Sequence, residues 1–201
     1  MLNYCKHLLI LALIASSPSV FAASTGMLIN DDSVKAYYLG DANNTLIRNS
    51  RQQYSLIYSN ETELRSMLLM ADTELLDFQR PLGKGNTLTP KIATFLADFR
   101  NQYLLGLGGG AIFRRPPNEI RKYELMGELL VGPYASNQSD ANTAGSATTV
   151  KWSWSFTLQA SYPIADDSKL NFGVRAIQMR AGQQYNESFE TGPYIGLSSH
   201  F

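Results

Sequence analysis

The chain has one cysteine and two histidines among its 201 residues, and this scarcity excludes several kinds of site. Cys5 lies in the first, apolar segment, so the rest of the chain has no thiol and no disulfide. His200, next to the C-terminus, is the only histidine outside that segment, which leaves no Cys/His metal spacing and no histidine base beside a nucleophile. We therefore predict no enzymatic activity, no catalytic residue, no metal ion and no cofactor.

The chain also has no excess of charge of either sign and no second long apolar run. Seventeen basic residues balance seventeen acidic ones, so no electrostatic field favours nucleic acid as a partner. After the first segment no stretch reaches the roughly 18 apolar residues of a membrane-spanning helix. A closed barrel remains compatible with a membrane, because its strands satisfy every backbone group in lipid.

The first residues have the pattern of a secretory signal. Lys6 and His7 form a short basic start, residues 8–15 are uniformly apolar, and small residues precede a cleavage position between Ala22 and Ala23. We predict a signal peptide over residues 1–22 and one β-barrel domain over residues 23–201.

The segment 150–162 is the most informative part of the sequence. Its apolar residues stand at every second position, with polar residues between them: Val150, Trp152, Trp154, Phe156, Leu158, Ala160 and Tyr162. A period of two indicates a β-strand. Thirteen residues exceed the usual 5–6 of strands in soluble domains and suffice for a membrane-crossing strand. The aromatic residues near both ends predict a lipid-facing row with rims at two interfaces: Trp152, Trp154, Phe156, Tyr162 and, on the next strand, Phe172.

Similar segments predict an all-β, up-and-down antiparallel transmembrane barrel. Eight strands are expected, at 53–60, 66–79 (with a bulge), 88–98, 102–113, 120–135, 150–162, 169–180 and 190–201. Tight turns at 80–86, 115–118 and 163–168 are expected at one end, with longer polar loops at 136–149 and 181–188 at the other. Residues 23–32 are expected to be flexible. Residues 33–40 form either an extension beside eight strands or, with a further short strand before them, part of a ten-stranded barrel.

Several motifs resemble known outer-membrane proteins. The last strand ends on Phe201 with Ile195 and Leu197 at alternating positions, which resembles the terminal signal for barrel assembly. Beyond that, the chain resembles the YfaZ family of outer-membrane β-barrel proteins in five motifs: Pro81-Leu82-Gly83, Gly106–Gly110, Gly127-Glu128, Gly173-Val174-Arg175 and Gly192-Pro193-Tyr194-Ile195-Gly196. The resemblance implies a barrel with a porin-like label and no defined mechanism. The chain departs from the family in having no Asp/Gly-rich loop tips, which argues against loop-based functions.

If the tryptophan row faces lipid, the residues between face the lumen. That set holds glycines 106, 108 and 110, Gln159 and Tyr194, and four charged residues: Glu124, Glu128, Lys151 and Arg175. Charges in a narrow lumen must pair, so we predict one network joining Glu128 and Arg175, with Glu124 and Lys151 nearby. Such a network either tunes a small pore or plugs the barrel, and the narrow lumen favours the plug.

The predicted function is that of an integral barrel of the Gram-negative bacterial outer membrane, with a structural or small-solute channel role. Its expected partners are outer-membrane lipid and, through the C-terminal strand, the barrel-assembly machinery; the barrel is expected to be a monomer. One alternative is a soluble periplasmic barrel that binds a lipid, which would place its apolar faces inside. A second is an adhesin or receptor acting through the loop at 136–149.

Overall fold

The computed structural model describes residues 21–42, 49–60, 66–99, 102–138, 147–181 and 185–200. Within these ranges the chain is almost entirely β-strand, with one 3₁₀ turn at Leu76–Phe78. The strands are β1 (Phe21–Ile29), β2 (Ser33–Ala42), β3 (Ser50–Ser59), β4 (Ser66–Leu75), β5 (Arg80–Gly83), β6 (Asn86–Phe99), β7 (Gln102–Arg115), β8 (Glu124–Gln138), β9 (Ala147–Ala165), β10 (Ser168–Ala181) and β11 (Tyr185–His200). None of the described residues forms a helix long and apolar enough to cross a membrane.

The strands close into an antiparallel up-and-down barrel. Each barrel strand pairs with its neighbours in sequence, β4 pairs with β6, and β1 pairs with β11 to close the ring. The barrel therefore has ten strands, and the short β5 lies outside it, paired with β6. This confirms the all-β, up-and-down fold expected from the sequence.

The expected number of eight strands was wrong, and the ten-stranded alternative holds. Segment 33–40 lies within β2, a full member of the barrel wall, and the supposedly flexible segment 23–32 supplies most of β1. The alternation in β1 is hard to detect because small or polar residues, such as Ser24, Thr25 and Gly26, stand where longer apolar side chains usually mark a strand. The even strand number agrees with the rule for single-chain bacterial barrels.

Two further expectations need correction. Segment 66–79 is not a bulged strand: β4 pairs in regular register with both β3 and β6, and the chain then turns at Leu76–Phe78. The bulge was expected because segment 66–79 combines the strand with this turn. Nor are the shorter connections at the end where tight turns were expected, since the strands extend into the loops expected at 136–149 and 181–188, and the turn expected at 115–118 lengthens to 116–123.

The two ends of the barrel are distinguished by the chain termini. At the end we call the terminal end, β1 begins, β11 ends, and the connections are 43–49, 76–85, 116–123 and 166–167. At the opposite end the connections are 30–32, 60–65, 100–101, 139–146 and 182–184.

The outer face of the wall is apolar. Residues directly opposite each other on neighbouring strands share a face, and following the register from Trp154 around the ring identifies one outward set. Its exposed members include Met27, Val34, Leu56, Ile92, Leu107, Val131, Val174 and Ile195. Among outward positions whose side chains are described, only Asp98 and Arg115 are charged; Asp98 is next to the last residue of β6, and Arg115 is the last residue of β7.

Candidate functional site: a charged lumen closed at one end

The lumen contains a buried triad of charged residues from three strands. Lys91 of β6 lies 2.9 Å from Asp72 of β4 and 2.5 Å from Glu128 of β8, measured from its ammonium nitrogen to the carboxylate oxygens. The Lys91 side chain is 1% exposed. Because one cation serves two carboxylates, the triad alone carries an excess negative charge in a largely buried site.

Lys35 of β2 balances that charge. It is attracted electrostatically by Glu128 and Asp72 and repelled by Arg175 and Lys91, and among the described residues it makes no direct salt bridge. Its ammonium lies 5.8 Å from the centre of the Tyr37 ring. With Lys35 added, the group is neutral, which is the condition for keeping charges out of water at tolerable cost.

A second buried pair joins Arg175 of β10 to Glu190 of β11. Arg175 donates from Nε to one Glu190 oxygen at 2.8 Å and from Nη2 to the other. Glu190 also accepts bonds from the Ser33 hydroxyl at 2.7 Å and the Asn30 amide at 3.1 Å. The Arg175 guanidinium lies 5.3 Å from the centre of the Tyr194 ring. The carboxylate therefore ties three strands and the β1–β2 turn together.

A third pair lies nearer the terminal end. Arg114 donates two bonds to Glu74, at 2.6 and 2.5 Å, in bidentate geometry. Arg51 lies 3.9 Å from Glu74 and 3.0 Å from Asp41, at the edge of the lumen. The charged part of the lumen is thus lined by ion pairs that neutralise one another.

The predicted network is only partly present. Glu124, Glu128, Lys151 and Arg175 all occupy the inward positions expected, but Glu128 and Arg175 bind different partners. Thr157 of β9 lies opposite Glu128 on one side and Arg175 on the other, so an entire strand, about 10 Å in all, separates the two backbones. Glu124 pairs instead with Lys169, at 3.1 Å, near the terminal end of the lumen. Lys151 stands opposite Tyr134, away from the terminal end.

The sequence interpretation missed the true partners: Asp72, Lys91 and Glu190. In segment 88–98 the alternation places Lys91 on the face opposite Ile92, so its inward position can be inferred from the sequence. Asp72 lies in segment 66–79, where the expected bulge leaves the face of each residue unassigned. Glu190 stood at the first residue of the predicted last strand, where alternation alone does not fix a partner.

An apolar cluster closes the lumen near the opposite end. It contains Ile57, Leu68, Met70, Ala93, Phe95, Ala97, Leu104, Leu130, Tyr134, Ile177, Met179 and Phe189. The ring centres of Phe95 and Tyr134 are 6.4 Å apart. The gap in this cluster has a volume of about 30 Å³, close to that of one water molecule.

A larger cavity, of about 400 Å³, lies on the terminal side of the cluster. Most of the residues that line it are polar or charged, and they include Lys35, Arg114, Glu128, Gln159 and Arg175. Within the described residues the lumen is therefore a blind vestibule that opens at the terminal end and stops at the apolar cluster.

The predicted lipid-facing residues lie on the outer face of the wall. Trp152, Trp154, Phe156, Tyr162 and Phe172 are all exposed, with 66% of Trp152 and 42% of Trp154 accessible. The Trp154 indole N–H donates to the Gln178 amide oxygen at 2.5 Å, directly across the strand pair. Their outward orientation is the one required by the prediction.

The structure describes some, but not all, of the residues of the predicted assembly signal and the predicted cleavage position. Ile195 and Leu197 point outward from β11, at 57% and 55% exposure, whereas Phe201 lies outside the described residues. The predicted cleavage between Ala22 and Ala23 falls after the second residue of β1. Both signals stay predictions.

In the described part of the chain, no cluster of three or more histidine, cysteine, aspartate or glutamate side chains could hold a metal ion. The absence of a catalytic site or cofactor stays a prediction.

Comparison with known proteins adds little to this geometry. No protein-family model and no curated protein matches the chain. Among solved structures it is similar to Ail, the attachment invasion locus protein of Yersinia pestis, crystallised with the heparin analogue sucrose octasulfate. That match covers 90% of this chain and 99% of Ail, at 13% sequence identity and a TM-score of 0.32. So distant a likeness transfers no function, and the resemblance to the YfaZ family stays a prediction.

Proposed function

We propose that the protein is an integral barrel of the bacterial outer membrane whose lumen is closed by its own side chains, with a structural role in that membrane. The observation that carries this proposal is the apolar outer face, which is continuous around ten strands and, among the outward side chains that the structure describes, carries charge only at or next to strand ends. The chain places its buried ion pairs inside the barrel and covers the outer face with exposed apolar side chains, which is the arrangement expected where the surroundings are hydrocarbon.

The height of the apolar face suits a membrane. The row from Trp152 to Tyr162 rises by about 3.3 Å per residue, and with a tilt near 40° it spans about 25 Å along the barrel axis. This equals the usual apolar band of outer-membrane barrels, with aromatic residues near both of its edges. In water the same face would be an apolar patch far larger than monomeric soluble proteins tolerate.

The closed lumen favours a structural role over the porin-like label that the YfaZ resemblance implies. A solute entering from the terminal end would meet the Lys91 triad, the Arg175–Glu190 pair and then the apolar cluster. Passage would require breaking buried ion pairs and displacing packed rings such as Phe95.

The alternatives are less well supported. A soluble lipid-binding barrel needs an apolar interior large enough for an acyl chain, and most of the residues that line the 400 Å³ cavity are polar or charged. The adhesin alternative depends on the loop expected at 136–149, and its residues 139–146 lie outside the described residues.

Membrane insertion and closure can be tested separately. Refolded protein is expected to show heat-modifiable mobility on gels and to remain in the membrane fraction; a soluble protein without that shift would contradict insertion. In planar bilayers, the native barrel is expected to give no stepwise conductance. The double variant Phe95→Ala with Tyr134→Ala removes two rings of the apolar cluster and is expected to conduct.

A matched control truncates two outward residues on the same wall. Leu105→Ala with Leu107→Ala removes comparable volume from exposed positions of β7, and this variant is expected to stay insulating. Regular conductance steps from the native protein would overturn the closed lumen and leave a small-solute channel as the better account.

A further inference from the structure

Two connections at the terminal end form a continuous exposed surface. One is the hairpin of β5 and β6 with the 3₁₀ turn before it, and the other is the β7–β8 connection. They touch where Gly85 packs on Pro116, so closely that a Cβ on Gly85 would lie 3.2 Å from Pro116 Cγ. We call residues 77–85 and 115–123 the basic rim.

The basic rim concentrates positive charge. It contains five basic side chains (Arg80, Lys84, Arg115, Arg121 and Lys122) against the two acidic side chains of Asp77 and Glu119. The whole chain has a formal net charge of zero, so this excess is local. In the described structure Arg80, Lys84, Arg115 and Lys122 are exposed and have no carboxylate partner.

Arg121 instead stabilises the conformation of the β7–β8 connection. Its guanidinium donates to the carbonyl oxygens of Pro116 at 2.5 Å and Tyr123 at 3.1 Å. Its backbone N–H donates to the Asn118 side chain, and Asn118 N–H donates back to the Arg121 carbonyl, both at 2.7 Å. The connection is therefore a folded unit, and the neighbouring basic side chains project from a defined surface.

Large apolar side chains are interleaved with these charges. Phe78 is 64% exposed, Leu82 54% and Ile120 96%. The rim also adjoins the apolar outer face, because Arg80 stands directly opposite Leu88, an outward residue of β6. Exposed apolar groups beside long basic side chains, at the edge of an apolar band, match the headgroup layer of a membrane, where both kinds of group find partners.

We infer that the basic rim binds the phosphate headgroups of anionic phospholipids in the leaflet at the terminal end of the barrel. Phe78, Leu82 and Ile120 enter the interface between headgroups and acyl chains, while Arg80, Lys84, Arg115 and Lys122 contact phosphate. The inference rests on the proposed membrane insertion. An acidic protein partner would match the charges, but would leave the continuity with the apolar outer face unexplained.

The test compares two lipids around the inserted barrel. The protein is reconstituted in phosphatidylcholine vesicles with a trace of spin-labelled phosphatidylglycerol or phosphatidylcholine, and the motionally restricted fraction gives the relative association of each lipid. The native barrel is expected to prefer the anionic lipid, because the four basic side chains without a carboxylate partner attract its net negative headgroup more strongly than the zwitterionic headgroup of phosphatidylcholine. High salt is expected to reduce the preference.

Two variants isolate the rim. Replacing Arg80, Lys84, Arg115 and Lys122 with Gln is expected to abolish the preference, whereas exchanging Arg and Lys at the same four positions (R80K, K84R, R115K, K122R) is expected to keep it. Equal association of both lipids with the native barrel, or a preference that survives the Gln variant, would overturn the inference. Binding of the rim to a soluble acidic protein without any lipid preference would also overturn it.

The experiment distinguishes an error in the inferred lipid binding by the basic rim from an error in the proposed membrane insertion. If the native protein shows heat-modifiable mobility and restricts lipid motion but does not distinguish the two lipids, only the rim inference is lost. If it shows no restricted lipid at all, the proposed membrane insertion fails with it.

Discussion

Phe95 of β6 lies directly across from Gly106 of β7, and its ring occupies the space that a side chain at Gly106 would need. A Cβ built on Gly106 would be 2.1 Å from Phe95 Cζ, so any larger residue must displace the ring. Tyr37 and Gly26 form a second opposed pair of this kind. In both pairs glycine makes room inside the wall for an aromatic ring.

Gly106→Val is expected to lower the free energy of unfolding by about 1–3 kcal/mol, because overpacking pushes Phe95 into the apolar cluster. Urea unfolding in lipid vesicles, followed by tryptophan fluorescence, measures the change. Gly109→Val on the same strand is the control, since Gly109 faces outward and a Cβ there would meet nothing within 4 Å. Equal loss in the two variants would contradict the packing described.

Lys91→Met is expected to be the most destabilising single change in the lumen. It leaves Asp72 and Glu128 buried without their shared cation, a cost of about 3–5 kcal/mol. Glu128→Gln is expected to cost less, because Lys91 keeps Asp72. Lys169→Met, near the terminal end of the lumen, breaks the solvent-exposed pair with Glu124 and is expected to cost less than about 1 kcal/mol. If the same unfolding assay ranked Lys169→Met above Lys91→Met, the triad would not be the centre of the lumen.

The partners of Arg175 can be distinguished by double-mutant cycles. Arg175→Met with Glu190→Gln is expected to show a coupling energy of about 1 kcal/mol or more, since the two side chains form two hydrogen bonds. Arg175→Met with Glu128→Gln is expected to be additive within about 0.5 kcal/mol, because β9 lies between them. The reverse order would restore the single network inferred from the sequence.

Closure of the barrel by β1 can be tested with a disulfide. Thr25 and Ser199 are directly opposed across β1 and β11, so Thr25→Cys with Ser199→Cys, in a Cys5→Ser background, is expected to cross-link on mild oxidation. Ser168 lies one strand further away, opposite Ser199 on β10, so Thr25→Cys with Ser168→Cys is expected to remain unlinked. A cross-link only in the second variant, or in neither, would contradict the ten-stranded closure.

The sequence predicted which face of the barrel wall a side chain occupies better than it predicted the ion-pair partners of that side chain. A strict period of two settles which face a residue occupies, so the outward Trp152 and the inward Glu128, Arg175 and Tyr194 were all assigned correctly. Ion pairing depends on register and on which strands are neighbours, and the sequence contains no local signal for either. Arg175 could have reached several carboxylates, and only the pairing of β10 with β11 selects Glu190.

The prediction of eight strands was wrong for a related reason. Side chains in β1 are small enough that the alternation of Thr25, Met27 and Ile29 with Ser24, Gly26 and Leu28 does not stand out from a polar leader segment. At position 26 a small residue is required, because the Tyr37 ring occupies the space that a side chain would need. The same packing demand that fixes the residue therefore weakens the pattern by which a strand is recognised.

The orientation of the tryptophans tests membrane insertion most directly. The chain has two tryptophans, Trp152 and Trp154, and both point outward, so native fluorescence needs no labelling to report on the outer face. In vesicles of lipids brominated on the acyl chain, the account predicts strong quenching of this fluorescence and little quenching by aqueous iodide. Fluorescence that is unaffected by brominated lipid and quenched by iodide would show that this face meets water, and the membrane assignment would fall.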